Sequence, residues 1–216
     1  MSETKKRFVI IEDHPVVRER LSELVNRERD MEVCGEADNA RGGIDLVLSL
    51  RPDLIILDIT LKSSSGLEMI KSLRALSITT PILVVSMHEE SLYAQRALRA
   101  GASGYITKNS PSGEVIKAAR QLLEGKVYLS PAMTENVLQQ LTPNRSDASI
   151  DRLSDRELLV LEMIGRGRTA RAISESLGVG TATVETYRAR IKEKMKLQNA
   201  FELQHFAIRW LREREG

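Results

Sequence analysis

Two rhythms of apolar and polar positions divide this chain. Over roughly the first 125 residues, short apolar runs at 8–11, 54–57, 82–85 and 104–107, and a strand-like run at 31–37, alternate with stretches whose apolar positions recur at helical spacing. Short apolar runs bounded by turn signals read as strands buried in a parallel sheet. The stretches between them predict helices over 15–26 (Val17, Leu21, Leu24 and Val25 on one face), 41–50 (Ile44, Leu46, Val47, Leu48 and Leu50), 67–76, 92–100 and 113–123. Pro52 ends the second helix, Gly66 opens the third, Pro81 precedes the fourth strand, Gly101 stops the fourth helix and Gly125 closes the fifth. Five successive strand–helix units predict an α/β fold, a parallel sheet with helices on both faces.

The second rhythm is helical throughout. Residues 131–141 predict one helix with Pro131 in its first turn. Residues 142–151 are polar, with Pro143, Asn144, Ser146, Asp147 and Ser149, and read as a linker. Ser154 and Glu157 have the spacing of a capping box that starts a helix carrying Leu158, Leu159, Leu161, Met163 and Ile164, broken by Gly165 and Gly167. A short helix over 169–177, a tight Gly178-Val179-Gly180 turn, a helix over 181–195 and a last helix over 200–211 follow. The expected organisation is one domain over 1–125, a linker with one helix over 126–152, and an all-α four-helix domain over 153–216. No internal repeat or low-complexity tract is seen.

Composition narrows the setting. The chain has 216 residues, 42% hydrophobic and 29% charged, which is ordinary for a globular protein with a real core. No apolar run approaches the ~20 residues needed to span a bilayer. The charged segment from Met1 to Arg7 leads straight into a strand and does not read as a signal peptide. Cys34 is the single cysteine, so an internal disulfide and a cysteine zinc site are excluded, and a plain buried thiol is expected. A cytoplasmic location is expected, with no membrane partner. The charge is uneven: residues 153–216 hold 12 Lys and Arg against 9 Asp and Glu, whereas residues 1–152 hold 20 against 21. The basic surplus is compatible with nucleic acid.

Candidate chemistry sits at the downstream ends of the strands: Glu12 and Asp13, then Asp58, then Ser86, then Lys108. In open α/β sheets, sites form outside the carboxyl ends of the strands. Magnesium prefers oxygen ligands, and Glu12, Asp13, Asp58 and the backbone carbonyl of Thr60 would supply them. With Mg2+ in place, the Asp58 carboxylate would accept a phosphoryl group, Lys108 would offset charge on the transferring oxygens, and Ser86 would donate a hydrogen bond to the product. Tyr105 is placed to turn inward as Ser86 moves. His14 is read as a loop residue leading to the first helix, not as a metal ligand. A phosphotransfer enzyme of the haloacid-dehalogenase type also uses an aspartate nucleophile, but it generally wants a second Asp two residues on, where this chain has Thr60.

In the C-terminal part, the short helix, the glycine turn and the helix over 181–195 have the order of a helix-turn-helix, whose second helix enters the major groove. Val184, Ile191 and Met195 should pack inward. The opposite face carries Glu185, Thr186, Arg188, Ala189, Lys192 and Glu193, and residues 181–196 hold 5 basic against 2 acidic side chains.

Residues 8–125 resemble the receiver domain of two-component response regulators, on Ile11-Glu12-Asp13-His14-Pro15, Leu57-Asp58-Ile59, Val85-Ser86 and Gly104-Tyr105-Ile106-Thr107-Lys108. Leu153-Ser154-Asp155-Arg156-Glu157, Ile173-Ser174, Leu177-Gly178-Val179, Thr183-Val184 and the run from Arg188 to Lys194 resemble the LuxR-type DNA-binding domain. Nearly the full length is thus similar to NarL/FixJ-type response regulators. The resemblance implies a flavodoxin-like (βα)5 receiver and a helix-turn-helix domain. It implies phosphorylation of Asp58 by a sensor histidine kinase, dimerisation, sequence-specific binding to double-stranded DNA and control of transcription, with RNA polymerase as a further candidate partner. No enzymatic role of its own is expected. By the same resemblance Glu185, Thr186 and Ala189 face the groove, and Thr183, Arg188, Arg190 and Lys192 are candidates for phosphate or nearby base contacts. Glu185 would either accept from cytosine N4 or pair with Arg188 or Arg190. Leu203 and Trp210 on the last helix are the expected dimer surface.

The family pattern is departed from at Glu12, where Asp is more usual, at Leu61-Lys62, where Met-Pro is frequent, and at Ser65, where Asp is frequent. Lys62 either weakens magnesium binding, alters the phosphoryl lifetime, or points to solvent. The alternative expectation is a DNA-binding regulator with a degenerate, phosphorylation-independent receiver.

Overall fold

A computed structural model describes residues 4–61, 64–88, 90–130 and 150–215. The chain divides into two compact units, residues 1–142 and 143–216. The helix expected over 131–141, most of the linker, and Lys62 lie outside the described residues.

The first unit alternates strand and helix: β1 Lys6–Ile11, α1 Pro15–Asn26, β2 Met31–Ala37, α2 Ala40–Leu50, β3 Leu54–Leu57, α3 Gly66–Ala75, β4 Ile82–Ser86, α4 Glu90–Ala100, β5 Gly104–Thr107 and α5 Ser112–Leu123. The five strands form one sheet in the order β2-β1-β3-β4-β5, and every neighbouring pair is parallel. This is the expected (βα)5 fold. Phe8, Ile10, Leu54, Ile56, Leu83, Val85 and Ile106 alternate onto one sheet face, where Leu21 and Val25 of α1 and Val115, Ala118 and Leu122 of α5 cover them. Their neighbours Val9, Ile11, Ile55, Leu57 and Val84 point the other way and are equally buried, as strands covered on both faces require.

Two edges differ from the pattern reading. β1 starts at Lys6, because Lys6 and Arg7 pair through their backbones with Met31 and Glu32 and need no apolar side chain to do so. After Asp58, Thr60–Leu61 and Ser64–Ser65 pair as two-residue antiparallel strands. Cys34 is half-buried rather than buried, and its thiol donates to the Phe8 carbonyl at 3.2 Å.

The second unit opens with a 3-10 turn, Ile150–Arg152, then α6 Asp155–Gly165, α7 Ala170–Leu177, α8 Thr181–Met195 and α9 Ala200–Glu215. The predicted capping box is formed: Ser154 Oγ accepts from the Glu157 backbone at 3.3 Å, and Glu157 Oε2 accepts from the Ser154 backbone at 2.7 Å. Thr169 caps α7 through its hydroxyl. Gly178 ends α7 with φ +62°, a left-handed conformation that favours glycine. Leu158, Leu161, Ile173, Leu177, Val184, Ile191, Leu203, Ala207, Trp210 and Leu211 build the core. The last helix runs past the predicted Leu211 to Glu215, with Arg212 and Glu213 exposed on the added turn.

Candidate functional site

The sheet order places β1 between β2 and β3, and the end of β1 is where the first unit gathers its charge. The Asp58 backbone N–H donates to the Ile11 carbonyl at 2.9 Å, which sets Asp58 beside the acidic pair that follows β1. Glu12, Asp13 and Asp58 are all buried. Lys108, on the loop after β5, inserts its ammonium between two of them: Nζ is 2.7 Å from Asp58 Oδ2 and 2.6 Å from Glu12 Oε2. Its own backbone N–H donates to the Ser86 carbonyl at 2.7 Å, which fixes the loop that carries it.

One ammonium does not balance three buried carboxylates. Burial, and after it the charge of Asp58, raises the Glu12 pKa above the ordinary carboxylate range despite Lys108. For Lys108, burial pulls the other way, but Asp58 and Glu12 outweigh it and the ammonium is held more firmly than usual. Asp13 Oδ1 is buried and receives no hydrogen bond among the described residues. Ligand atoms of Glu12, Asp13, His14 and Asp58 lie within 4.8 Å of one another. This donor set suits an oxygen-preferring divalent cation.

Gly66 packs behind the nucleophile candidate. Its N–H donates to the Ile59 carbonyl at 2.9 Å, and a Cβ placed there would stand 2.3 Å from the Asp58 carbonyl oxygen and 2.6 Å from Ile59 Cα. The backbone of Asp58 therefore requires glycine at the start of α3.

Beyond the carboxylates, Ser86 and Tyr105 are buried, and His88 links them to the Asp58 loop. The His88 backbone donates to Ser86 Oγ at 3.2 Å, and its carbonyl accepts from the Tyr105 hydroxyl at 2.9 Å. The His88 ring nitrogen Nε2 is 2.8 Å from Thr60 Oγ1, and the ring lies 4.7 Å from that of Tyr93. Tyr105 already points inward, completely buried. The Thr60 backbone N–H donates to Asp58 Oδ1 at 3.1 Å. His88 was not singled out by the sequence reading, Gly66 was read only as the start of the third helix, and His14 only as a loop residue before the first. The glycine at a strand-end loop was the only visible trace, since contacts between distant segments leave none.

His14 lies at the start of α1, as expected, yet its ring turns back over the carboxylates. Nδ1 is 3.1 Å from Glu12 Oε1 and 2.8 Å from Asp13 Oδ1, the latter without hydrogen-bond alignment.

In the second unit, α8 buries Val184 and Ile191 and leaves Met195 half-buried. Thr183, Glu185, Thr186, Ala189 and Arg190 are exposed, and Arg188 and Lys192 are partly so, all on a helix with positive surplus. Arg188 reaches Glu185 at 2.9 Å. Lys194 binds buried Glu157 at 2.6 Å and ties α8 to α6.

The expected dimer surface needs correction. Leu203 and Trp210 are buried, because the face of α9 that carries them packs on α6. The apolar side chain left outside is Phe201, 78% exposed and stacked near His205.

Residues 8–120 match the family described as response regulator receiver domain, and residues 151–207 match the bacterial regulatory proteins of the luxR family. The chain is 31% identical over 204 residues to response regulator GacA of Pseudomonas aeruginosa, spanning 94% of this chain and 95% of the relative. It is 35% identical over 199 residues to the nitrate/nitrite response regulator protein NarL of Escherichia coli strain K12, spanning 90% and 91%. A crystal structure of a LuxR-family two-component response regulator from Aurantimonas sp. SI85-9A1 is similar at TM-score 0.60 and 32% identity, covering 64% of this chain and 99% of that one.

Proposed function

The chain belongs to the two-component response regulators that join a receiver domain to a LuxR-type helix-turn-helix DNA-binding domain, and we propose that phosphorylation of Asp58 by a sensor histidine kinase controls its dimerisation and its sequence-specific binding to DNA. The observation that carries this reading is the Asp58 carboxylate, buried beside Glu12 and Asp13 and held by Lys108 at 2.7 Å.

In this reading Glu12, Asp13, Asp58 and the Thr60 carbonyl would hold Mg2+. The buried Asp13 Oδ1, which receives no hydrogen bond among the described residues, fits that role. When bound, the cation screens the repulsion between the carboxylate and an incoming phosphoryl group. Asp58 forms the new O–P bond as the bond from phosphorus to the kinase histidine breaks. Lys108 exchanges part of its carboxylate contact for a phosphoryl oxygen, and the Ser86 hydroxyl donates a hydrogen bond to another. Tyr105 follows Ser86 through the His88 segment that both contact.

The output is DNA binding by a homodimer. Glu185, Thr186 and Ala189 face the major groove, while Thr183, Arg188, Arg190 and Lys192 contact phosphates or nearby bases. Phe201, in place of Leu203 and Trp210, joins the surface that pairs two copies, and RNA polymerase is a further partner. The working division is a receiver over 1–125, a linker over 126–152 and a DNA-binding domain over 153–216.

The test is labelling and gel shift together. Acetyl phosphate with magnesium should label the native chain and strengthen its DNA binding, and Asp58→Asn should lose both effects. Equal DNA binding in every condition would overturn the switch.

A further inference from the structure

The proposed linker begins bound to the sheet. β5 ends the sheet, and Tyr128 lies along its outer edge in a parallel bridge with Gly104. The Tyr128 N–H donates to the Ser103 carbonyl at 3.1 Å, and its carbonyl accepts from the Tyr105 N–H at 3.3 Å. Gly104 makes room for this approach, since a Cβ there would stand 3.0 Å from the Tyr128 carbonyl oxygen and 3.1 Å from the Tyr128 Cβ. The Tyr128 side chain joins the core that Val115, Ala118 and Leu122 of α5 complete, and its hydroxyl donates to Glu114. Two residues on, the Ser130 N–H donates to Glu90 Oε1 at 3.1 Å. Pro131 follows and has no N–H to offer. Residues 128–130 thus touch β5, α5 and α4 in turn.

The two ends of this segment are held differently. Tyr128 is fixed by the backbone of β5 and by burial. Ser130 is tied to a carboxylate in the first turn of α4, two residues past His88. The His88 N–H bonds to Ser86 Oγ at 3.2 Å, and the His88 carbonyl accepts from the Tyr105 hydroxyl at 2.9 Å. A Ser86 side chain that turns toward a phosphoryl group on Asp58 carries its oxygen away from the His88 N–H, and the start of α4 has to adjust. We propose that residues 128–130 are a strap through which the linker reads the phosphorylation site, with Tyr128 as its fixed root and the Glu90–Ser130 bond as the tie that phosphorylation releases. The inference rests on the phosphorylation of Asp58 in the proposed function and adds the route from that site to the linker. Glu90 touches no reacting group and is a positioning residue for the linker.

The experiment uses the full chain, with acetyl phosphate and MgCl2 as the probe. Amide exchange followed by NMR should speed about tenfold at Ser130 and stay within about twofold at Tyr128, whose bond to Ser103 lies outside the tie. In Glu90→Ala, Ser130 should exchange fast already without phosphodonor. Glu90→Gln keeps an oxygen that accepts from the Ser130 N–H and should behave as the native chain does. Coupling between two sites is commonly about 5- to 150-fold. Phosphodonor should raise the affinity of the native chain by a factor in that range for a duplex it selects from random sequence. In Glu90→Ala, labelled at the native rate, the gain should fall below about twofold. Unchanged Ser130 exchange in a chain that takes label, or a native-sized gain in Glu90→Ala, would overturn the proposal and leave residues 128–130 a cover for the edge of β5. A Glu90→Gln chain that also loses the gain would place the effect in the charge and overturn it as well. Failure of the native chain to take label would instead remove the phosphorylation reading, and the strap with it.

Discussion

Replacing Gly66 with alanine probes how tightly the backbone behind Asp58 is held. The added Cβ would stand 2.3 Å from the Asp58 carbonyl oxygen and 2.6 Å from Ile59 Cα. A relaxed carbon–oxygen contact is about 3.3 Å, so the two segments must separate by about 1 Å. Both obstacles are backbone, and Asp58 is tied to β1 through its bond to the Ile11 carbonyl, so the displacement passes to the carboxylate. Overpacking of this kind costs about 1–3 kcal/mol, offset by the roughly 0.5–1 kcal/mol that alanine gains over glycine in a helix. The net loss of about 1–2 kcal/mol leaves the domain folded and lowers its melting temperature by several degrees. The reaction suffers more, because misplacing a reacting group by about 1 Å costs on the order of 100-fold in rate. The assay is the rate of magnesium-dependent labelling by acetyl phosphate, with circular dichroism to confirm folding. Gly113→Ala is the control, since a Cβ there meets nothing within 4 Å. Labelling of a folded Gly66→Ala chain at the native rate would refute the claim that this contact positions Asp58.

Lys108→Met should lower the labelling rate by about 100-fold or more, as loss of a charge-stabilising donor does, and pulsed labelling at several donor concentrations measures it. Glu185→Gln should free Arg188 for phosphate and steepen the salt dependence of DNA binding by about one unit of slope; fluorescence anisotropy across a salt series reads this directly, and an unchanged slope would count against a DNA-facing Arg188. Burial raises the pKa of Glu157, but Lys194 and the Ser154 backbone outweigh it and hold the carboxyl below its ordinary value of 4.5. Its stabilising contribution is therefore complete above about pH 4.5 and is lost as the pH falls through the lower folded value. Glu157→Gln should make the second unit less stable at pH 7 and flatten its loss of stability below pH 5, as denaturant melts across that range will show.

Where the chain buries strands on both faces, hydropathy alone located them, and the residues at their ends were legible for the same reason: an apolar run must stop where the sheet meets solvent. Ser154 and Glu157 were legible because a capping box is local, as was the turn at Gly178. Lys6 and Arg7 were not, since backbone pairing with β2 leaves no mark on side-chain polarity. Leu203 and Trp210 were misjudged for a different reason. Their spacing places them on one face of α9, but it says nothing of what stands opposite, and α6 covers that face. Phe201 is apolar and exposed, which helical periodicity does not anticipate. Gly66 and His88 draw their importance from contacts across 8 and 28 residues of chain, to Asp58 and Thr60, and such closures exist only after folding.

The recognition-type helix α8 spans fifteen residues and buries two of them, Val184 and Ile191, with Lys194 clipped to Glu157 from the side. So slight an anchorage leaves most of its circumference free of any duty to the fold. Substitutions on the exposed side can accumulate without loosening the bundle, so operator preference can drift between descendants while the scaffold stays as it is. A helix seated on two apolar pegs and one ionic clip is, in that sense, an exchangeable reading head.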